Sequence, residues 1–204
     1  MIHNTWFGEH SMKRPKIFDP TCSMDDLVSN TNLVTWKRTN EHIVDTIKRN
    51  NFDMAYALDV GERNPRTRRL EGVFDCSIDS TAWDLDYPPK QRHKLFYDTI
   101  IFTCVIEHLY NPLTCLNELQ KILREHGKMI IVVPQYKKLT SHHFHQIPDS
   151  RMRGLLNKAG LWVVEYYQFN NPFKLRQHLK GIRPFFRYFN RKVGVYVVSK
   201  KSTN

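Results

Sequence analysis

Two hydrophobic rhythms run along this chain: short unbroken apolar runs, and longer stretches with apolar positions three and four apart. Unbroken runs between turn residues suit strands buried on both faces; the 3.6-residue rhythm suits amphipathic helices. Met54-Ala55-Tyr56-Ala57-Leu58-Asp59-Val60-Gly61 is the first such run, and it stops at an acid and a glycine. Phe96–Cys104 and Lys128–Val133 are two more, the second ended by Pro134. Val73–Ser80 alternates instead, with Phe74, Cys76 and Ile78 on one face, as a strand does. Leu161–Phe169 and Val193–Ser199 complete the predicted strands.

Helices are predicted between them. Asp25 opens a helical stretch to about Asn50, uneven enough to break near Asn30–Asn32. Pro65–Leu70 reads as a short helix with Gly72 as its stop. Asn111-Pro112 opens a helix with the stripe Leu113, Leu116, Leu119, Ile122 and Leu123, closed by Gly127. Asp149 caps a helix through Ala159, and Gly160 stops it. Strands alternating with helices predict an α/β fold: a mostly parallel sheet with helices on both faces. The last strand follows another through a basic connection, so it is placed antiparallel beside Leu161–Phe169. Residues 1–50 read as an arm and helices packing on a core formed by 51–204, with a basic insertion at 170–192.

Composition narrows the class. The 204 residues are 41% hydrophobic and 25% charged, which is the globular range. No apolar run reaches membrane-spanning length, and the N-terminus lacks the pattern of a signal peptide, so a cytoplasmic protein is expected. Cys22, Cys76, Cys104 and Cys115 show no C-x-x-C spacing; Cys76 and Cys104 read as small core residues. The net charge of +11 is concentrated late in the chain. From Asn170 to Asn204 there are nine Lys or Arg and no acid: Lys174, Arg176, Lys180, Arg183, Arg187, Arg191, Lys192, Lys200 and Lys201. Aromatic residues interleave with them. The segment 170–201 reads as a helix packed on the sheet with its charges in water, or as a surface for a polyanion, either nucleic acid or membrane headgroups.

In such sheets, ligands bind beyond the carboxyl ends of the strands. Asp59–Gly61, Asp79–Ser80, Cys104–His108 and Pro134–Tyr136 should therefore converge. Gly61 lets a ligand approach the backbone. Asp79, 18 residues further on, is spaced to accept from ribose hydroxyls, or it caps a turn. Gly-x-Gly-x-x-Gly is absent, which argues against a dinucleotide-dependent dehydrogenase. His108 is the first candidate base, with capping of the next helix as the alternative; His145, from His142-His143-Phe144-His145, is the second. No fourth ligand with sensible spacing accompanies that histidine run, so no metal is expected.

The run Ala57-Leu58-Asp59-Val60-Gly61 resembles the first motif of class I, Rossmann-like S-adenosylmethionine-dependent methyltransferases, of the type 11 kind. Tyr97 to Leu109, with Glu107-His108-Leu109, resembles their fourth strand and following loop. Leu116 to Pro134 is similar to their fifth-strand region, and Met152 to Leu161 to their last helix and sixth strand. The resemblance covers roughly residues 54 to 169, most specifically 97 to 134. It implies S-adenosylmethionine as cofactor and methyl transfer to a small molecule, a glycan or lipid-linked intermediate, or a nucleic acid. The alternative is a degenerate fold serving as a scaffold through its basic face. The resemblance places Asp59 and Gly61 beside the methionine portion, Asp79 at the ribose, Asp84 at the adenine amino group, Thr103 and Cys104 on the floor, and Glu107 and His108 near the methyl group. The family's later glycines are replaced by Gly61-Glu62-Arg63-Asn64-Pro65, a degenerate loop. Glu62 and Arg63 would border the cofactor, Arg63 would pair with its carboxylate, and Asn64 would supply a left-handed backbone. Residues 73–96 are too few for the usual strand, helix and strand, so the second helix or third strand should be reduced. The Asn-Pro-Pro-Tyr-type motif of many base-amine methyltransferases is absent.

Overall fold

A computed structural model describes residues 33–81, 84–88, 96–135, 143–170 and 192–201. The chain runs α1 (Leu33–Arg49), β1 (Ala57–Asp59), α2 (Pro65–Phe74), β2 (Ile78–Ser80), β3 (Tyr97–Thr103), a 3-10 turn (Ile106–His108), α3 (Pro112–Ile122), β4 (Leu123–Pro134), α4 (Asp149–Lys158), β5 (Leu161–Asn170) and β6 (Lys192–Lys200).

The six strands form one sheet in the order β2-β1-β3-β4-β6-β5. The first four are parallel, and β6 lies antiparallel between β4 and β5. This is the predicted mostly parallel sheet with an antiparallel last strand. The central strands are apolar because both faces are covered: Ile100, Ile101, Met129, Ile130 and Ile131 are all fully buried. One face carries α3 and α4, whose Leu116, Leu119, Met152 and Leu156 pack with Leu58, Ile100 and Met129. The other carries α1 and α2, whose Ile43, Ile47 and Leu70 pack with Ala57, Ile101 and Val132. Each such aliphatic side chain contributes about 1.5–3 kcal/mol by leaving water. Among the described residues between Ser80 and Tyr97 no helix or strand occurs.

Several boundaries differ from expectation, each for a local reason. The helix from Pro65 does not stop at Gly72; it continues to Phe74 and ends on Asp75, which takes the left-handed backbone with φ 48°. The extra turn brings the Glu71 carboxylate to the Ile78 amide at 3.0 Å, fixing the entry to β2. The strand predicted over 73–80 is thereby cut to Ile78–Ser80. The helix predicted to Gly127 ends at Ile122. Gly127 is instead where backbones cross: a Cβ there would lie 2.8 Å from Leu123 Cδ1 and 3.0 Å from two carbonyl oxygens, those of Arg124 and Tyr97. Asp149 is the first residue of α4, with Pro148 as N-cap; its carboxylate accepts from Arg153 and from the Tyr196 hydroxyl. Cys104 lies just past β3, half-buried rather than in the core, with φ 54°. Gly160 ends α4 with φ 71°, as its position suggested. Residues 1–32 and 171–191 lie outside the described residues, and with them the arm and most of the basic insertion.

The crossing at Gly127 yields a first prediction. Gly127→Ala should lower unfolding free energy by about 1–3 kcal/mol, because neither carbonyl can retreat without breaking the start of β4. Urea denaturation measures it; unchanged stability would mean the crossing is looser than described.

Candidate functional site

The carboxyl ends of β1, β2 and β3 are neighbours, and the chain ties their tips together. The Val60 amide donates to the Ile101 carbonyl at 2.8 Å, and Cys104 to Val132 at 2.8 Å, so the ladders run one residue beyond the strands. The Gly61 amide donates to Thr81 Oγ1 at 2.8 Å, and the Thr81 amide donates back to the Gly61 carbonyl at 3.2 Å. This clasp joins the loop after β1 to the tip of β2. Gly61 holds φ 117°, a conformation other residues take only with strain. The nearest atom to a Cβ there is Val105 Cγ2 at 3.9 Å, so the backbone is approachable.

The pleat then sorts the acids. Asp59 pairs with Ser80 and Ile101 in register, on the face of α1 and α2; Asp79 pairs with Leu58, on the face of α3 and α4. Asp59 is 1% exposed, and its Oδ2 accepts from the Thr67 hydroxyl at 2.6 Å. It braces the start of α2 through Oδ2, because alternation turns it inward, and its Oδ1 is left without a hydrogen-bond partner. Burial pushes its carboxyl up from the ordinary range; the nearby charge of Arg66 and the Thr67 hydrogen bond oppose the rise. Arg66 is itself buried, its Nε bonded to Asn40 Oδ1 of α1 at 3.2 Å. Asp79 remains exposed. Its Oδ2 accepts from the Tyr97 hydroxyl at 3.0 Å, and burial together with Asp79 pushes that phenol up to about 12.

The degenerate loop is built differently from expectation. Asn64 has φ −142° and is the N-cap of α2; its side chain accepts from the Arg66 amide while Thr67 Oγ1 accepts from the Asn64 amide. It is a helix cap, not a left-handed glycine substitute. Arg63 turns along α2, where its guanidinium meets Glu71 and the Ile78 carbonyl, so it is not held toward a cofactor carboxylate. Glu62 is exposed. Asp84 forms a turn, accepting from the Asp86 amide at 3.0 Å, and Asp86 in turn accepts from the Asn111 amide at the start of α3.

Three polar atoms had no sequence signal as a group. Asp59 Oδ1, Ser80 Oγ and Thr103 Oγ1 are buried without a hydrogen-bond partner. Register and alternation put them on one sheet face at the ends of adjacent strands β2, β1 and β3. Buried polar atoms are rarely left so, and their grouping marks where a polar ligand or water would be held.

On the far side of β3, Glu107 is 1% exposed and His108 partly exposed, with 3.8 Å between His108 Nε2 and Glu107 Oε1. The segment entering α4 docks here: the amides of Phe144 and His145 donate to the Glu107 carbonyl at 2.9 and 3.4 Å, and Phe144 stacks on Tyr110 at 4.1 Å. His143 comes to 4.5 Å from His108, ring to ring. His145 is drawn elsewhere, between Arg151 at 3.1 Å and the Tyr110 carbonyl at 3.5 Å. His108 and His145 are therefore not partners. His142 lies outside the described residues. Beyond β4, Gln135 binds the hydroxyl of buried Tyr196 at 2.9 Å and accepts from Gln168 at 2.6 Å. The surface groove lined by Arg153, Asn157, Leu161, Trp162 and Val163 opens at the opposite, amino end of β4, away from all these groups.

No protein-family model and no curated protein matches this chain. Solved structures do. An S-adenosylmethionine-dependent methyltransferase from Clostridium acetobutylicum ATCC 824 is similar at 8% identity and TM-score 0.53, over 81% of this chain and 92% of that one. The 1,6-didemethyltoxoflavin-N1-methyltransferase of Burkholderia thailandensis, solved with 1,6-didemethyltoxoflavin and S-adenosylhomocysteine, is similar at 11% identity and TM-score 0.53, over 86% of this chain and 81% of that one. The [4+2]-cyclase SpnF shares 12% identity at TM-score 0.54, over 79% of this chain and 80% of that one. The chain thus has the Rossmann-like fold of S-adenosylmethionine-dependent methyltransferases. That fold also carries a cyclase, so the chemistry has to be argued from the site.

The buried Asp59 gives a pH-dependent prediction. Its folded pKa is raised, so its contribution to stability is fully present below the unfolded value of about 3.9 and is lost as pH rises through the folded value. Asp59→Asn keeps an acceptor for Thr67 and removes the buried charge. Its melting temperature relative to the unmutated chain should rise from about pH 4 to about pH 8; a gap that does not change with pH would contradict the assignment.

Proposed function

We propose that this chain is an S-adenosylmethionine-dependent methyltransferase, with the cofactor across the carboxyl ends of β1, β2 and β3. The observation that carries the reading is the group of unpartnered buried oxygens on Asp59, Ser80 and Thr103, beside an approachable Gly61 and an exposed Asp79. Such a rim suits a nucleoside with a charged amino-acid tail. The motif resemblance over residues 54 to 169 and the likeness to methyltransferase structures support the same reading.

The bound cofactor would supply an electrophilic sulfonium methyl. Asp79 would hold the ribose diol through the oxygen that Tyr97 does not engage, with Tyr97 fixing its rotamer. Gly61 would offer its open backbone, and Thr103 and Cys104 the floor. Glu62 and Asp84 remain rim candidates by resemblance. Methyl transfer needs the acceptor aligned in line with the methyl group, and sometimes a proton removed. His108, partly exposed at the end of β3, stands for that acceptor side. The acceptor itself is a small molecule, a glycan or lipid-linked intermediate, or a nucleic acid. The cations of 170–201 would serve a polyanionic acceptor; of these, Lys192, Lys200 and Lys201 are among the described residues.

Calorimetric titration with S-adenosylhomocysteine tests the reading. One saturable site per chain is expected, weakened at least about tenfold in Asp79→Ala, since a charged hydrogen-bond pair contributes about 1.5–3 kcal/mol. A folded protein that takes up no S-adenosylhomocysteine overturns it. His108→Ala should reduce turnover far more than cofactor affinity; the reverse would make His108 structural.

A further inference from the structure

We propose that Glu107, His108 and His143 form a binding site for a divalent first-row transition-metal ion of the zinc type. One ligand atom from each residue lies within 4.8 Å of the others. Glu107 and His108 leave the end of β3 on the 3-10 turn; His143 arrives from the segment before α4. The 34 residues between His108 and His143 hide the group from any spacing rule, which is why the histidine run alone suggested no metal.

The arrangement is braced. Two backbone amides, those of Phe144 and His145, hold the incoming segment to the Glu107 carbonyl. The Phe144–Tyr110 stack pins it from the other side. His143 is thereby fixed against His108, with the rings 4.5 Å apart and tilted by 45°. The donor chemistry selects the ion. Two imidazoles and one carboxylate suit zinc, iron, nickel or copper; calcium and magnesium prefer all-oxygen shells. Metal bonds of about 2.0–2.1 Å set tetrahedral ligand atoms about 3.3–3.4 Å apart. Closing to that distance takes modest rotamer swings of the exposed His108 and the half-buried His143. A cation here also offsets the cost of keeping the Glu107 carboxylate 1% exposed. Three protein ligands leave a position open for water or an oxygen-bearing acceptor. With the ion in place, His108 serves as its ligand instead of as a base. Binding of the ion needs no methyl donor, so this site does not depend on the cofactor reading.

The test uses the untagged full-length chain, stripped with a chelator and titrated with zinc chloride by calorimetry in the absence of S-adenosylmethionine. One tight zinc per chain is expected, and zinc should raise the melting temperature by mass action. Affinity should fall at least about tenfold in His108→Ala and in His143→Ala. His145→Ala, whose ring is held by Arg151 and Tyr110, should keep it. Circular dichroism checks each variant, with the glutamine replacements standing in for any alanine variant that fails to fold. No tight zinc, or equal zinc affinity in the His108 and His143 variants, overturns the proposal. Because no cofactor is present, that outcome leaves the S-adenosylhomocysteine titration to decide methyl transfer separately.

Discussion

Where parallel strands stop, their last peptide groups lose their ladder partners, and the way this chain satisfies them shapes everything above the sheet. Val60 and Cys104 extend two ladders by one amide each. Gly61 and Thr81 close on each other, so the first loop cannot drift from the tip of β2. Only Gly61 suits that clasp without strain, because its φ is 117°. What the backbone settles, three side-chain oxygens leave open, those of Asp59, Ser80 and Thr103. A rigid rim with unmet polar capacity is the physical basis for expecting a ligand there.

Much of this was legible in the sequence. Runs such as Thr99–Cys104 and Met129–Val133 have to be buried on both sides, and helices at 3.6-residue rhythm between them leave few topologies. The antiparallel last strand followed from its succession to another strand through a basic connection. What escaped was set by single residues whose roles depend on neighbours far along the chain. Gly72 looks like a stop, yet α2 continues because Glu71 then reaches the Ile78 amide. Gly127 looks like another stop, yet it marks a crossing under Tyr97. Asn64 looks like a glycine substitute, yet with Pro65 and Thr67 behind it the better-paired state is an N-cap.

The meeting of the strand ends was legible in the sequence, and the orientation of single side chains there was not, for the same reason. The resemblance brings Asp59 and Asp79 to one nucleoside pocket. Strand alternation sends them to opposite faces, so Asp59 becomes a buried brace for α2 while Asp79 stays accessible beside Tyr97. Arg63 turns back along α2 to Glu71 and the Ile78 carbonyl. On the acceptor side, the approach of His143 to Glu107 and His108 arises from loops after different strands, which periodicity does not register. On the proposed reading, polar chemistry divides by strand: nucleoside contacts at the ends of β1 and β2, acceptor or ion contacts in the loops after β3 and β4.

The most direct measurement is a map of backbone amide shifts during titration of the full chain with S-adenosylhomocysteine. If the rim is a cofactor cradle, the largest changes fall on Gly61, Ser80, Thr81 and Cys104, while Trp162 and Arg153 at the opposite edge stay still. Shifts confined to that opposite groove, or none at Gly61 and Thr81 at saturation, would contradict it.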